Sequence, residues 1–258
     1  MNQNTEAGYG HGFHIVKGQN TTGLAGHNIR QWDERRLESI KGYGEEKLPP
    51  TICFSRRIGA GALEIAEIFA SMLGCPVINR EIIDHIADEA ELSDKTVRLF
   101  DGRYPGKLRE FVAMAFGEKS FVQSDYNKHL FNVVFSLAGM GSNVFVGRGI
   151  HLVLPRDRVL AVRITASREF RVRRIMDGMD LSLDQAELVL DRVDDEQRAF
   201  FRNVYGKKTA ESGEFDLIIN RDHIRDSRIA AKIISLAYGQ KFGIDGKGEG
   251  PPVKAYYD

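Results

Sequence analysis

The chain carries only two cysteines in 258 residues, Cys53 and Cys75, and they sit in or beside apolar runs without C-x-x-C or metal-ligand spacing. Buried thiols fit that pattern; a disulfide framework or a zinc ribbon does not. Net charge is missing as well. The 36 Lys and Arg residues offset 36 Asp and Glu, so no global field draws the chain to DNA, RNA or an anionic membrane. No apolar run approaches the roughly 20 residues of a membrane-spanning helix. The start, Met1-Asn-Gln-Asn-Thr-Glu6, has neither the basic opening nor the apolar block of a signal peptide. A cytoplasmic protein is expected, with no nucleic-acid or membrane partner; oligomeric state is left open. With 42% hydrophobic and 28% charged residues, the composition is that of an ordinary globular protein with one sizeable core or two small ones.

Three zones follow one another. Residues 1–48 are rich in glycine and polar residues, with no sustained periodicity beyond a short charged stretch near 29–40, and are expected to be flexible. From 49 to 240 apolar runs alternate with helical stretches, which predicts an α/β fold with a five-stranded, mainly parallel sheet. The tail, 241–258, is again glycine-rich and carries Pro251-Pro252, so a loose end is expected. Predicted strands are 51–54, 76–79, 143–146, 159–164 and 215–219, each short, apolar and rich in β-branched residues. Predicted helices are 62–73, 81–90, 167–176, 182–204 and 225–238. A helical insertion, about 84–140, falls between the second and third strands, where a substrate-covering subdomain would sit in such a fold. Its phenylalanines, Phe111, Phe116, Phe121, Phe131 and Phe135, read either as core packing or as a base-stacking platform.

The most informative segment is Ser55-Arg56-Arg57-Ile58-Gly59-Ala60-Gly61-Ala62-Leu63, between the first strand and the first helix. A glycine turn at a helix N-terminus leaves backbone N–H groups aimed outward, and the helix dipole adds positive charge, so the turn suits a phosphate chain. The P-loop pattern G-x-x-x-x-G-K-[ST] would place lysine at Ala62 and a magnesium-binding hydroxyl at Leu63. Neither is there. Arg56 and Arg57 on the approach are the nearest cations in sequence to supply the missing charge.

Further along, Gly147-Arg148-Gly149 follows the third predicted strand, with Arg148 either a phosphate ligand or a strand-end residue paired with a carboxylate. His151 has no nucleophile or carboxylate at a recognisable spacing and reads as a packed or surface histidine. Arg168, Arg171, Arg173 and Arg174 open the next helix, Arg171 and Arg174 sharing a face; a solvated basic face fits, and a nucleic-acid patch less well, because the aromatic interleaving that single-strand binding needs is thin. Asp195 and Arg198 stand one turn apart, as an ordinary ion pair or as a ribose and phosphate contact.

In this order the motifs resemble the cytidylate kinase-like family, P-loop relatives of the nucleoside monophosphate kinases, from Thr51 to about Tyr238. Cytidylate kinases carry G-A-G-K, G-R-D, A-S-x-E-x-R-x-x-R and D-x-x-R. This chain is similar in Gly59-Ala60-Gly61-Ala62, Gly147-Arg148-Gly149, Ala166-Ser167-x-Glu169-x-Arg171-x-x-Arg174 and Asp195-x-x-Arg198. The resemblance implies a P-loop NTPase-type three-layer fold with the insertion on the acceptor side. It also implies transfer of the ATP γ-phosphoryl group to a nucleoside monophosphate, a cytidine nucleotide first. Ser55, Gly59, Ala60, Gly61, Ala62 and Leu63 would hold the donor, with Arg56 or Arg57 replacing the lysine and Arg171 and Arg174 closing over it. Arg148 and Arg198 would take the acceptor phosphate and Asp195 its ribose. Mg²⁺ would be held by nucleotide oxygens and water, without protein ligands. Loss of the lysine removes a cation worth several kcal/mol of barrier unless an arginine fills in. The alternative is therefore a nucleotide-binding regulatory or partner-binding protein on the same fold.

Overall fold

The computed structural model describes residues 48–88, 97, 125–207 and 210–243. The expected N-terminal zone, most of the insertion and most of the tail lie outside them.

Five strands form one sheet in the order β2-β3-β1-β4-β5: β1 (Thr51–Arg56), β2 (Val77–Asn79), β3 (Val144–Val146), β4 (Val159–Thr165) and β5 (Leu217–Asn220). Every pair is parallel. Parallel strands are covered on both faces, which is why they read as continuous apolar runs. In β1 the two-residue alternation sends Ile52 and Phe54 into one layer and Cys53 into the other. Burial pushes the Cys53 thiol up, so it stays protonated and inert. Cys75 is half-buried, and both thiols are free.

One face of the sheet is covered by α1 (Ala62–Leu73) and α6 (Ser227–Phe242). The other is covered by α2 (Arg80–Asp88), α3 (Asp125–Met140) and the end of α5 (Leu183–Tyr205). Phe131 and Phe135 of α3 are fully buried in that second layer, which settles them as core; the other phenylalanines of the insertion lie outside the described residues. A smaller cluster ties Ile58 of the glycine turn to α4 (Arg168–Met179) and to α5.

Element ends depart from expectation for local reasons. Strand β1 runs on through Ser55 and Arg56 because they stay in register with Arg163 and Ile164 of β4. Phe215 and Asp216 precede β5 rather than open it: the Asp216 carboxylate accepts from the Ala161 N–H, and Phe215 stacks on His151. Helix α6 reaches Phe242, whose ring packs 4.8 Å from that of Tyr238, so the first residues expected in the tail are helical. Ser167 and Ser182 stand outside their helices as N-caps, accepting from Phe170 and Gln185 N–H groups.

Candidate functional site

The carboxyl end of β1, the central strand, feeds the turn 57–61, and α1 begins at Ala62. Gly59 and Gly61 both have positive φ, 77° and 76°. A side chain at Gly59 would meet the Arg171 carbonyl oxygen at 2.6 Å, and one at Gly61 would meet the Arg174 guanidinium at 3.3 Å. The turn therefore lies directly beneath α4, and only glycine allows that approach. Ala62 and Leu63, where a P-loop has its lysine and hydroxyl, are buried in the α1–α6 layer.

The cation over the turn comes from elsewhere in the chain. Arg174 lies against Gly61 and pairs with Glu64 of the first turn of α1 at 3.0 Å. Arg56 and Arg57, expected in that role, line the clefts beside α5. Arg171, expected to close over the donor, is instead 2% exposed. Its Nε donates to the Ile58 carbonyl at 3.0 Å, and both terminal nitrogens donate to Asp194 at 2.7 and 3.0 Å. Burial pushes its guanidinium below the ordinary range, against the pull of Asp194. It locks the turn to α4 and α5 and presents no charge to solvent.

Two adjoining clefts open beside the turn and share Arg56, Gln197 and Phe201. The Gln197 side chain donates to the Arg56 carbonyl at 2.8 Å and so ties α5 to the end of β1. The narrower cleft, about 120 Å³, has Arg80, Arg148, Glu196 and Phe200 in its wall. Arg148 grips Asp84 of α2 with two nitrogens, one bond at 2.8 Å, and stacks 4.2 Å above the Phe200 ring. Of the two readings of Arg148, the carboxylate pair is thus present. Gly149, where a cytidylate kinase has aspartate, has no room for a side chain: a Cβ would stand 2.7 Å from the Tyr205 ring. The Tyr205 hydroxyl donates to the Arg148 carbonyl at 2.5 Å and holds Arg148 in its left-handed conformation, φ 55°.

The wider cleft, about 270 Å³, is walled by Ser55, Arg56, Arg57, Arg163, Asp194 and Arg198. Arg198 and Asp195 form an exposed ion pair one turn apart on α5. Asp195 lines neither cleft. Arg148, Asp195 and Arg198 are therefore not gathered in one pocket, as the motif reading expected. His151 is 2% exposed, 3.7 Å from Glu214, and burial pushes it down to about 4; it is a packed neutral histidine.

Sequence reading missed Arg163, Glu64, Asp84 and Asp194. For Arg163 a signal existed, a lone cation inside the apolar run Val-Leu-Ala-Val-Arg-Ile-Thr. For the three carboxylates there was none, since each acts only by meeting an arginine distant in sequence. Among the described residues no group of three or more His, Cys, Asp or Glu could hold a metal ion, and no helix is long and apolar enough to cross a membrane.

A five-stranded parallel sheet with helices on both faces, a glycine turn at the end of its central strand and arginines gathered beside that turn define a P-loop-kinase-like α/β protein. Residues 51–223, more than half of the chain, match the cytidylate kinase-like family, and the chain belongs to that family. No curated protein matches the sequence. Among solved structures it is similar to an uncharacterized protein from Eubacterium ventriosum, with TM-score 0.56 and 19% identity over 74% of this chain and 98% of that one. More distant likenesses are shikimate kinase from Bacteroides thetaiotaomicron (TM-score 0.38, 14% identity, 73% of this chain and 97% of that one) and TT1252 from Thermus thermophilus (0.39, 20%, 74% and 98%).

Proposed function

We propose that this protein is a nucleotide kinase, passing the ATP γ-phosphoryl group to a nucleoside monophosphate, with a cytidine nucleotide the first candidate acceptor. The observation that supports it most is the Gly59–Gly61 turn at the N-terminus of α1, packed beneath α4 and overlain by Arg174. The turn's backbone N–H groups would bind the donor phosphates, and Arg174 would take over the charge of the absent lysine. Arg56, which lines both clefts, would act on the phosphoryl group in transit, and Arg148 of the narrower cleft and Arg198 of the wider one would bind the acceptor. ATP would bring Mg²⁺ with it, held by nucleotide oxygens and water. No general base is required, because an acceptor phosphate oxygen is already nucleophilic. The remaining work is positioning and charge stabilisation.

A coupled ADP-release assay with ATP and Mg²⁺ over a panel of nucleoside monophosphates and small metabolites tests this reading. ADP release dependent on a nucleoside monophosphate is expected. Gly61→Val should weaken ATP binding at least tenfold in a folded protein, because any side chain there is strained and pushes Arg174 away. Unaltered ATP affinity in that variant would remove the turn from the site. The burial of Ala62 and Leu63 favours one second reading, a regulatory protein that binds nucleotide without turnover. Tight ATP binding with no ADP release across the panel would select it.

A further inference from the structure

Arg221, the residue after β5, is an arginine buried as deeply as the core phenylalanines, 1% exposed. Its guanidinium sits among three helix N-termini. Nη2 donates at 3.0 Å to Ser227 Oγ, in the first residue of α6, and Cζ lies 6.0 Å from the centroid of the Phe170 ring, in the first turn of α4. Glu64, in the first turn of α1, is the carboxylate that acts on it most. Nε and Nη1 are buried without a hydrogen-bond partner among the described residues. Burial pushes this guanidinium below its ordinary range, Glu64 pulls it back, and Arg174 pushes it down again. Asp226 also pulls it back, but that carboxylate already caps α6 by accepting from the Arg228 and Ile229 N–H groups. Two stranded N–H donors on a buried cation, beside the positive ends of helix dipoles, are costly unless a carboxylate can reach them. Glu64 is the carboxylate at hand. Its side chain is 41% exposed, and its partner at 3.0 Å is Arg174, the arginine that lies against Gly61.

We propose that Glu64 is shared between two arginines: it holds Arg174 against the turn, and it passes to Nε and Nη1 of Arg221 once a phosphate group draws Arg174 to itself. Arg221 is then a positioning residue, acting on the donor site through Glu64 and not by touching the ligand. The exchange keeps every charge paired. Without a second seat, a phosphate on Arg174 would leave Glu64 as an unpaired carboxylate beside a polyanion, and that repulsion would weaken binding. With Arg221 as the seat, the carboxylate moves from a part-exposed cation to a buried one, where its hydrogen bonds are stronger. The helices need not shift. Asp222, next to Arg221, accepts from the Ser167 N–H and hydroxyl at 2.7 and 2.6 Å, which fastens the start of α4 to the end of β5 and leaves side-chain rotation as the movement. The phosphate rests on the reading of the turn as a donor site; the two seats of Glu64 do not.

Two measurements on the full chain test the exchange. In a crystal structure of Arg174→Ala, the Glu64 carboxylate should stand about 3 Å from Nε or Nη1 of Arg221. A Glu64 side chain left in solvent there, with both Arg221 donors still unpartnered, would overturn the proposal. Calorimetric titration of ATP with Mg²⁺ and no acceptor then follows a double-mutant cycle. Arg221→Gln should weaken ATP binding roughly fivefold or more in the parent background. In the Glu64→Gln background the same change should alter it by no more than about twofold, because the carboxylate that needs the seat is gone. An equal loss in both backgrounds would mean that Arg221 acts on the nucleotide directly, and no loss in either would mean that Glu64 stays where it is; both overturn the exchange. If Arg221→Gln does not fold, the Arg174→Ala structure decides, since it alters a part-exposed side chain and leaves Arg221 in place. A parent protein that binds no ATP would remove the donor reading and leave the exchange to be judged by that structure. Cycle coupling in a protein that binds ATP and never releases ADP would leave the exchange standing and remove only the kinase reading.

Discussion

The two clefts beside α5 share three residues yet differ in how their charge is used. In the narrower one, Arg148 is clasped by Asp84, Arg80 reaches the same carboxylate at 3.8 Å, and Glu196 adds a second negative charge to the wall. In the wider one, Asp194 serves Arg171 and Arg198 pairs with Asp195, while the partner of Arg163 is a neutral one, the Ala210 carbonyl. The cleft marked by the more eye-catching motif, glycine on both sides of an arginine, is thus the better neutralised. The cleft floored by an arginine in an ordinary strand keeps its field. Counting arginines along a sequence measures supply; the capacity to bind an anion depends on which of them already have partners.

Removing Asp194 should break this contrast most severely. With side-chain exposures of 3% and 13%, Arg171 and Asp194 form a buried pair, so Asp194→Ala should cost about 3–4 kcal/mol by urea unfolding, most of it from the stranded Arg171 charge. The double variant Arg171→Leu/Asp194→Leu should recover part of that loss. A cost under about 1 kcal/mol for Asp194→Ala would mean that the turn is not held this way.

Asp84→Ala tests the balanced cleft. Its pair with Arg148 is half-buried, at 14% and 22% side-chain exposure, and a smaller penalty of about 2 kcal/mol is expected after allowing for solvent. Inorganic phosphate should then bind in an Arg148-dependent step. Absence of that step would show that pairing with Asp84 does not limit this cleft.

A pH titration sharpens the contrast. His151 is held at about 4 in the folded protein, below an ordinary value near 6.5, so the unfolded chain binds the extra proton between these limits. Stability from this group is fully present above about pH 6.5 and is lost as pH falls toward 4, a change on the order of 2 kcal/mol. His151→Gln should flatten that slope.

The smallest effect belongs to the pair most legible as a motif. Asp195→Ala should change stability by no more than about 0.5 kcal/mol, because both partners are exposed, 72% and 52%. It should also leave Arg198 freer toward phosphate. A stability loss above about 1 kcal/mol would show that the pair does more than its exposure allows.

Much of the architecture could be read from the chain alone. Buried strands read as short apolar runs rich in β-branched residues and helices as a 3.6-residue period, both local signals, so all five strands and the helix after the glycine turn were recovered with errors only at strand ends. Gly59 and Gly61 were likewise readable, because a turn ahead of a helix is a local demand on the backbone. The order of motifs was sufficient to point to the family. Which arginine lies over the turn, which is locked away and which stays uncompensated were decided only in three dimensions. Arg148 meets Asp84 across 64 residues and Arg174 meets Glu64 across 110. Such pairings follow from the packing of α2 beside β3 and of α4 over the turn, and no spacing along the chain encodes them.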